Sequence, residues 1–417
     1  MRTYCKPADV NIEDVSFISP AVHRCFTSEK LKKWKFQKLL ISTGKISRAQ
    51  LRADLATQDR TRIVLAIDAV AEEMAKRIRA RDLQMPPVRQ FRRRDRSNGK
   101  LRDLCSESAE QQIFEYIAVY ALMPLFTAKI LPFQYGSIPD RGQIKTMERI
   151  ARLVRKNEKQ MCAIQCDVRK AYPSTKVSTV MDLLRRDIGK NKTLLWYTEA
   201  LMQNYPNGAL LIGGYWSPWA FNYAFSYALR VLLDQVKVRR GKRIPMVSGV
   251  ANYADDFVVF GQKSNLTRVI KVTVRWAKKS LGLDLKDAWK VIHFSSFSEE
   301  RELKKERQKN RSHLRTQGVD MVGYVVRPTY TIVRGTTFVH FRRQFLRAAR
   351  NISELGYVPW WRAQKITADW GWIKHSDCTK FCEIYSVYKI VRACKKSVSW
   401  HDRKVNKYGG KLCSAAC

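Results

Sequence analysis

The sequence predicts a mixed α/β fold, an α+β body with helical ends, on three observations. Short apolar runs of β type alternate with helical stretches across residues 161–328. The first 90 or so residues, and the basic stretch from Thr331 onward, instead space their apolar side chains for helices. The third observation is size. A chain of 417 residues with 45% hydrophobic and 11% aromatic content can bury substantial cores, which excludes a disordered basic protein and suggests about two or three domains.

In chain order, residues 57–79 set Ile63, Leu65, Ile67, Val70, Met74 and Ile78 at loosely helical intervals, and Pro86-Pro87 stops the pattern. Residues 89–102 are basic on both sides of Ser97-Asn98-Gly99, a turn signal. They read as a hairpin able to lie over phosphates, with a merely solvated hairpin as the alternative. Residues 108–126 are apolar at helical spacing and predict one core helix. A Gly/Pro-punctuated loop over 133–143 leads to a basic helix from about Ile144 to Lys156. Residues 299–315 are highly charged and predict an exposed helical excursion or loop. Residues 331–417 carry 17 Lys/Arg against 5 Asp/Glu. Phe341, Phe345, Trp360, Trp361, Trp370 and Trp372 are interleaved there, either as the core of a small helical domain or as stacking surfaces for nucleic acid. No repeat of 20–50 residues and no low-complexity linker separates these parts, so they read as lobes of one body.

Charge narrows the partners. Lys and Arg number 78 against 37 Asp and Glu, a formal net charge of +41, and such an excess is costly to hold in a compact body without a polyanion. Nucleic acid is the first candidate and an anionic membrane surface the second. No run of about 18 apolar residues could span a bilayer, and the start, Met1-Arg2-Thr3-Tyr4-Cys5-Lys6, lacks an apolar signal region. The expectation is a cytoplasmic chain with no membrane partner. Its ten cysteines are then reduced. Cys162/Cys166 and Cys378/Cys382, the latter near His375 and Asp377, read as buried or half-buried helical thiols rather than a zinc site.

The chemistry concentrates in Val250-Ala251-Asn252-Tyr253-Ala254-Asp255-Asp256-Phe257-Val258-Val259-Phe260-Gly261. Neighbouring strand residues point to opposite faces, so two adjacent acids between apolar runs belong at a hairpin turn. There both can approach one polar cleft. Carboxylates in apolar surroundings are costly unless neutralised, and a divalent metal does that. Asp167 ends another short apolar strand, Met161 to Cys166, just before a turn where the Val168 carbonyl could also reach a metal. One acid at a strand end and two at a hairpin tip suit a two-metal phosphoryl-transfer site with ions about 3.5–4 Å apart. An Asp-Asp pair by itself is more often just a turn.

In this order the motifs resemble those of a reverse transcriptase, from about Arg89 to His375. Asp167 is similar to the first catalytic aspartate, and Tyr172 to the aromatic gate that excludes a ribose 2′-OH. Tyr253-Ala254-Asp255-Asp256 resembles the Tyr-x-Asp-Asp box. Ile212-Gly213-Gly214-Tyr215-Trp216-Ser217-Pro218 resembles the segment against which nucleotide and template pack. Leu281 to Lys286, with Trp289-Lys290-Val291, resembles the motif whose lysine assists the pyrophosphate; Lys290 is chosen and Lys286 is the rival. Met321-Val322-Gly323-Tyr324 resembles the primer grip. Gly99-Lys100-Leu101-Arg102 resembles the fingers hairpin, with Arg102 the triphosphate clamp and Lys100 a point charge beside it. The 134–143 loop and Trp370 to His375 are similar to bacterial group-II-intron-like enzymes. Ile212 points to the flavour of diversity-generating retroelements and related prophage or defence enzymes, from which Ser217-Pro218 departs.

The resemblance implies a right-hand polymerase: an N-terminal helical extension (1–88), fingers (89–160), a palm of antiparallel sheet and helices (161–328), and a basic helical thumb and tail (329–417). It implies an RNA-directed DNA polymerase with two Mg²⁺, or Mn²⁺ in their place, held by Asp167, the Val168 carbonyl, Asp255 and Asp256. The nucleotide would meet Lys100, Arg102, Tyr172, Ile212, Gly213, Ser217 and Lys290. Implied partners are a structured template RNA, the cDNA or primer, and dNTPs, with an accessory protein or a homo-oligomer as further options. A charge beyond the needs of one cleft suggests a long RNA. Error-prone copying for diversification and cDNA synthesis in antiphage defence both remain open. The reading of another class is a non-catalytic, maturase-like RNA-binding scaffold.

Overall fold

A computed structural model describes residues 4–57, 59–94, 99, 101–156, 162–286, 289–309 and 317–407. It is a mixed α and β structure with small antiparallel sheets. The strands are β1 (Arg89–Arg94), β2 (Leu101–Ser106), β3 (Cys162–Asp167), β4 (Val236–Arg239), β5 (Lys242–Pro245), β6 (Gly249–Tyr253), β7 (Asp256–Phe260), β8 (Lys290–His293), β9 (Val319–Met321), β10 (Tyr324–Val326) and β11 (Thr331–Val333). The chain forms two compact units, each assembled from three segments.

The first unit comprises Met1–Pro139, Cys166–Pro245 and Arg268–Ala288. Its centre is the helix Trp216–Leu233, in which Trp216, Phe221, Tyr223, Phe225 and Leu232 are all fully buried. A helix apolar on every side has to be wrapped. The helices Ala109–Ala121, Met123–Lys129 and Val177–Ile188 pack against it, and Val15–Cys25 packs on both Ala109–Ala121 and Thr61–Arg79. The single core helix expected over 108–126 is two helices. The chain breaks at Leu122, and Pro124 opens the second helix because it has no N–H to return to the preceding turn. The basic hairpin is present as β1 paired antiparallel with β2, Arg93 opposite Arg102; its turn residues Ser97 and Asn98, and Lys100, lie outside the described residues. A second basic hairpin, β4–β5, turns through Arg240 (φ 48°) and Gly241 (φ 72°).

The second unit comprises Asp140–Gln165, Met246–Thr267 and Trp289–Cys417. Its four-stranded sheet has the order β6-β7-β3-β8; β3 leaves this unit at its last two residues, Cys166 and Asp167, which belong to the first. The helix Gln143–Lys156 lies on β6 and β10. At Gly249 a Cβ would come within 2.3 Å of Leu153, so glycine permits that approach. A three-stranded sheet, β11-β10-β9, and the helices Gly335–Leu355, Trp360–Ile373 and Val387–Lys407 share one core that runs from Ile150 and Val258 through Tyr324 to Phe345 and Ile366. The charged excursion is the helix Phe297–Gln308. Cys162 and Cys166 are buried as expected but stand in β3, so their reading as helical thiols is corrected: the strand is covered on both faces. Cys378 and Cys382 are buried at the helix Thr379–Ile384. Among the described residues, no helix is long and apolar enough to cross a membrane.

Candidate functional site

In the first unit the site begins where β3 ends. The segment after the helix Lys263–Leu281 returns alongside it: Lys286 N–H donates to the Asp167 carbonyl (2.9 Å) and Arg169 N–H to the Asp284 carbonyl (2.7 Å), with Val168 opposite Leu285. Neither bond uses the Val168 carbonyl. The Asp167 Oδ2 meets the Lys286 ammonium, whereas its Oδ1 is buried and has no hydrogen-bond partner among the described residues. Of the two lysines weighed for this region, then, Lys286 is the one on an acid; Lys290 stands exposed at the start of β8, opposite Gln165.

Lys170 takes the left-handed conformation (φ 46°) and reverses the chain into the short helix Ala171–Ser174. This helix carries Tyr172, half-buried, with its ring edge-on to Phe221 (5.6 Å between centroids, 61°). Leu210 N–H donates to the Thr175 carbonyl (3.1 Å) and Cys105 N–H to the Ile212 carbonyl (2.9 Å), so the 209–214 loop is tied both to Tyr172's helix and to β2. Between them lies a cavity of about 450 Å³, lined by Phe91, Arg92, Cys105, Pro173, Leu210 and Ile212 among others. Gly213 is required in the turn: its φ is +112° and a Cβ would come within 2.9 Å of the Cys105 carbonyl. Ser217 is fully buried and its hydroxyl accepts the Leu211 N–H (2.9 Å), so it acts on a ligand only through this turn. Arg102 is exposed on β2.

In the second unit, β6 and β7 pair with Tyr253 opposite Asp256, which leaves Ala254 and Asp255 as the turn. Ala254 is left-handed (φ 53°), a conformation an L-residue holds only when its surroundings demand it. Asn252 supplies the demand. It is fully buried, and its Nδ2 donates to the carbonyls of Ala254 (2.7 Å) and Asp256 (3.0 Å). Both acids are half-buried. Burial first, and then the adjacent Asp255 charge, push the Asp256 carboxyl up to about 6; Arg334 draws it back and Asp320 adds to the rise. Arg334 pairs with Asp320 (Nε to Oδ1, 2.6 Å), and its N–H donates to the Gly323 carbonyl (2.8 Å). Met321 and Tyr324 are buried and flank a two-residue turn, Val322 (φ 49°) and Gly323 (φ 84°). A Cβ on Gly323 would come within 2.3 Å of the Trp372 ring.

Among the described residues, no three His, Cys, Asp or Glu side chains are gathered closely enough to form a metal site by themselves. The acids nevertheless suit a cation: Asp167 has an orphaned buried oxygen and a lysine on the other, and Asp256 is driven toward protonation by burial and by the Asp255 charge beside it. Sequence reasoning missed Asn252, Asp320 and Arg334. Only Asp320 left a trace, as the one polar residue between two buried apolar ones, Val319 and Met321. Compared with models of known protein families and with curated proteins, the chain matches none.

Proposed function

We propose that the chain is an RNA-directed DNA polymerase of right-hand organisation, joining dNTPs to a primer on a structured RNA template. The observation that carries this reading is the sheet order β6-β7-β3-β8: the hairpin bearing Asp255 and Asp256 is the hydrogen-bonded neighbour of the strand that ends in Asp167. Gly261 N–H donates to the Cys162 carbonyl (3.3 Å), tying the end of β7 to the start of β3.

Asp167, Asp255 and Asp256, with the Val168 carbonyl, would hold two Mg²⁺ ions, which would lower the pKa of the primer 3′-hydroxyl and neutralise the leaving pyrophosphate. Around them the chain binds and orients. Tyr172 screens the sugar 2′ position, Ile212 and Gly213 line the pocket for the nascent pair, and Arg102 with Lys100 grips the triphosphate. Lys286, whose ammonium meets Asp167, takes the phosphate-assisting role in place of Lys290. The Val322-Gly323 turn seats the primer end, and the basic helices after Val333 follow the duplex as a thumb. Mutagenic copying within a diversity-generating system is the first biological reading and antiphage defence the second.

The test is RNA-templated dNTP incorporation by the purified chain with Mg²⁺. Wild type should extend a DNA primer, and Asp255→Ala should lose extension while keeping RNA binding. A wild-type chain that binds RNA but incorporates nothing would support the scaffold reading instead.

A further inference from the structure

The turn that carries Ile212 is held by a group no motif points to. Glu115, fully buried in the helix Ala109–Ala121, receives four donors. Its Oε2 accepts the Tyr215 N–H (2.8 Å) and the Trp216 N–H (2.9 Å), at the start of the helix Trp216–Leu233. Its Oε1 accepts the Tyr205 hydroxyl (2.5 Å) and the Gln111 amide (3.3 Å). The other end of the turn is fixed by Cys105 N–H on the Ile212 carbonyl and by Ser217 on the Leu211 N–H. Between these anchors Gly214 lies against Glu107: a Cβ there would come within 2.5 Å of the Glu107 Oε1.

Glu107 closes the underside. It is buried, neither carboxyl oxygen has a hydrogen-bond partner among the described residues, and burial first, then the Glu115 charge, pushes its carboxyl well above the usual carboxylate range. Its neutral form is favoured there, so that it adds bulk beneath the turn and not a second charge. The Lys35 ammonium, from the N-terminal helix Trp34–Ser42, donates to the Glu107 carbonyl (2.6 Å). Lys30 lies 4.0 Å from the Tyr116 ring, which itself stacks on Tyr215 (3.6 Å, 12°). The N-terminal extension thus buttresses the same turn.

We propose that Glu115 is a positioning residue that sets the 212–214 turn at the nucleotide pocket, and through it the selection of the incoming nucleotide. This rests on the polymerase reading above. Glutamine at 115 keeps the shape but offers one acceptor oxygen where the site presents donors to two, so the turn loosens without losing its core; alanine removes all four hydrogen bonds that Glu115 accepts and leaves only the Cys105 and Ser217 anchors.

The experiment compares wild type, Glu115→Gln, Glu115→Ala and the milder Tyr205→Phe as full chains. Hydrogen exchange over residues 205–217 reads the turn itself. RNA-templated incorporation of matched and mismatched dNTPs reads selection. Glu115→Gln should speed exchange of the Tyr215 and Trp216 amides and raise KM for the matched dNTP about 5- to 10-fold, with kcat changed less than about twofold. Its discrimination against mismatches should change, and Glu115→Ala should go further in both respects. Unchanged exchange in Glu115→Gln overturns the anchoring; faster exchange with KM and mismatch discrimination at wild-type values overturns the role in selection. If Glu115→Ala does not fold, Tyr205→Phe must still show the shift in KM. A wild type that incorporates no dNTP would sink the polymerase reading and the selection role with it, while exchange at Tyr215 and Trp216 still decides whether Glu115 anchors the turn.

Discussion

Asp256→Asn should make the metal-free protein more stable at alkaline pH while removing its function. Burial and Asp255 raise the Asp256 carboxyl from its ordinary 3.8 to about 6 in the folded chain. The folded state therefore holds its proton more tightly than the unfolded state does, and the stabilisation from that proton is complete below about pH 4 and lost as pH rises through about 6. Above that range the folded chain carries a charge that it disfavours. A rise from 3.8 to about 6 corresponds to an upper figure of about 3 kcal/mol. Neutral asparagine removes that penalty, so Asp256→Asn should melt about 3–8 °C above wild type at pH 8 in EDTA. The gap should close toward pH 4–5. Asp369 is also pushed up to about 6 by burial, but it is common to both proteins and cancels in the difference. The assay is thermal unfolding from pH 4 to 9, with EDTA and again with Mg²⁺. Mg²⁺ should raise the midpoint of wild type more than that of the variant. A variant no more stable than wild type at pH 8, or one whose gain is the same at every pH, would refute this account of the acidic tip.

Three further substitutions probe the supports. Asn252→Ala removes two buried hydrogen bonds to the tip and should cost about 1–3 kcal/mol, seen as a lower melting point, together with at least about a tenfold loss of dNTP incorporation as Ala254 leaves its left-handed conformation; a melting point and activity at wild-type values would remove Asn252 from the site. Gly323→Ala forces a Cβ toward Trp372 at φ 84° and should destabilise by about 2–4 kcal/mol, with primer extension falling more than RNA binding; equal loss of both would argue against a primer-seating turn. Ile212→Gln gives the pocket an amide that can hydrogen-bond near the nascent pair, and the rate of misincorporation should fall; an equal error rate in the two proteins would end the link between Ile212 and fidelity.

The acidic tip was legible because its signal is local. Apolar runs of strand length on both sides of two acids can fold back in few ways, and β6 and β7 pair as that pattern requires. The basic hairpin β1–β2 was readable for the same reason. The break between Ala121 and Met123 was not, since apolar spacing continues across it and only Pro124 marks the restart. Glu115 was opaque in a different way: its partners Tyr205 and Tyr215 lie about 90 and 100 positions downstream, and an acid in an apolar helix does not say what it will cap. Lys286 and Lys290 are equally basic and close in sequence. Only the return of the 284–286 segment along Val168 puts the first on Asp167 and leaves the second on an exposed strand.

The central claim is that Asp167 and the Asp255–Asp256 tip serve one reaction. It is tested most directly by titrating Mg²⁺ into RNA-templated dNTP incorporation by wild type, Asp167→Asn and Asp255→Asn. The account predicts incorporation that depends on Mg²⁺ in wild type and is lost by at least about a thousandfold in each variant, with template binding intact. Extension by either variant at a rate near wild type would contradict it.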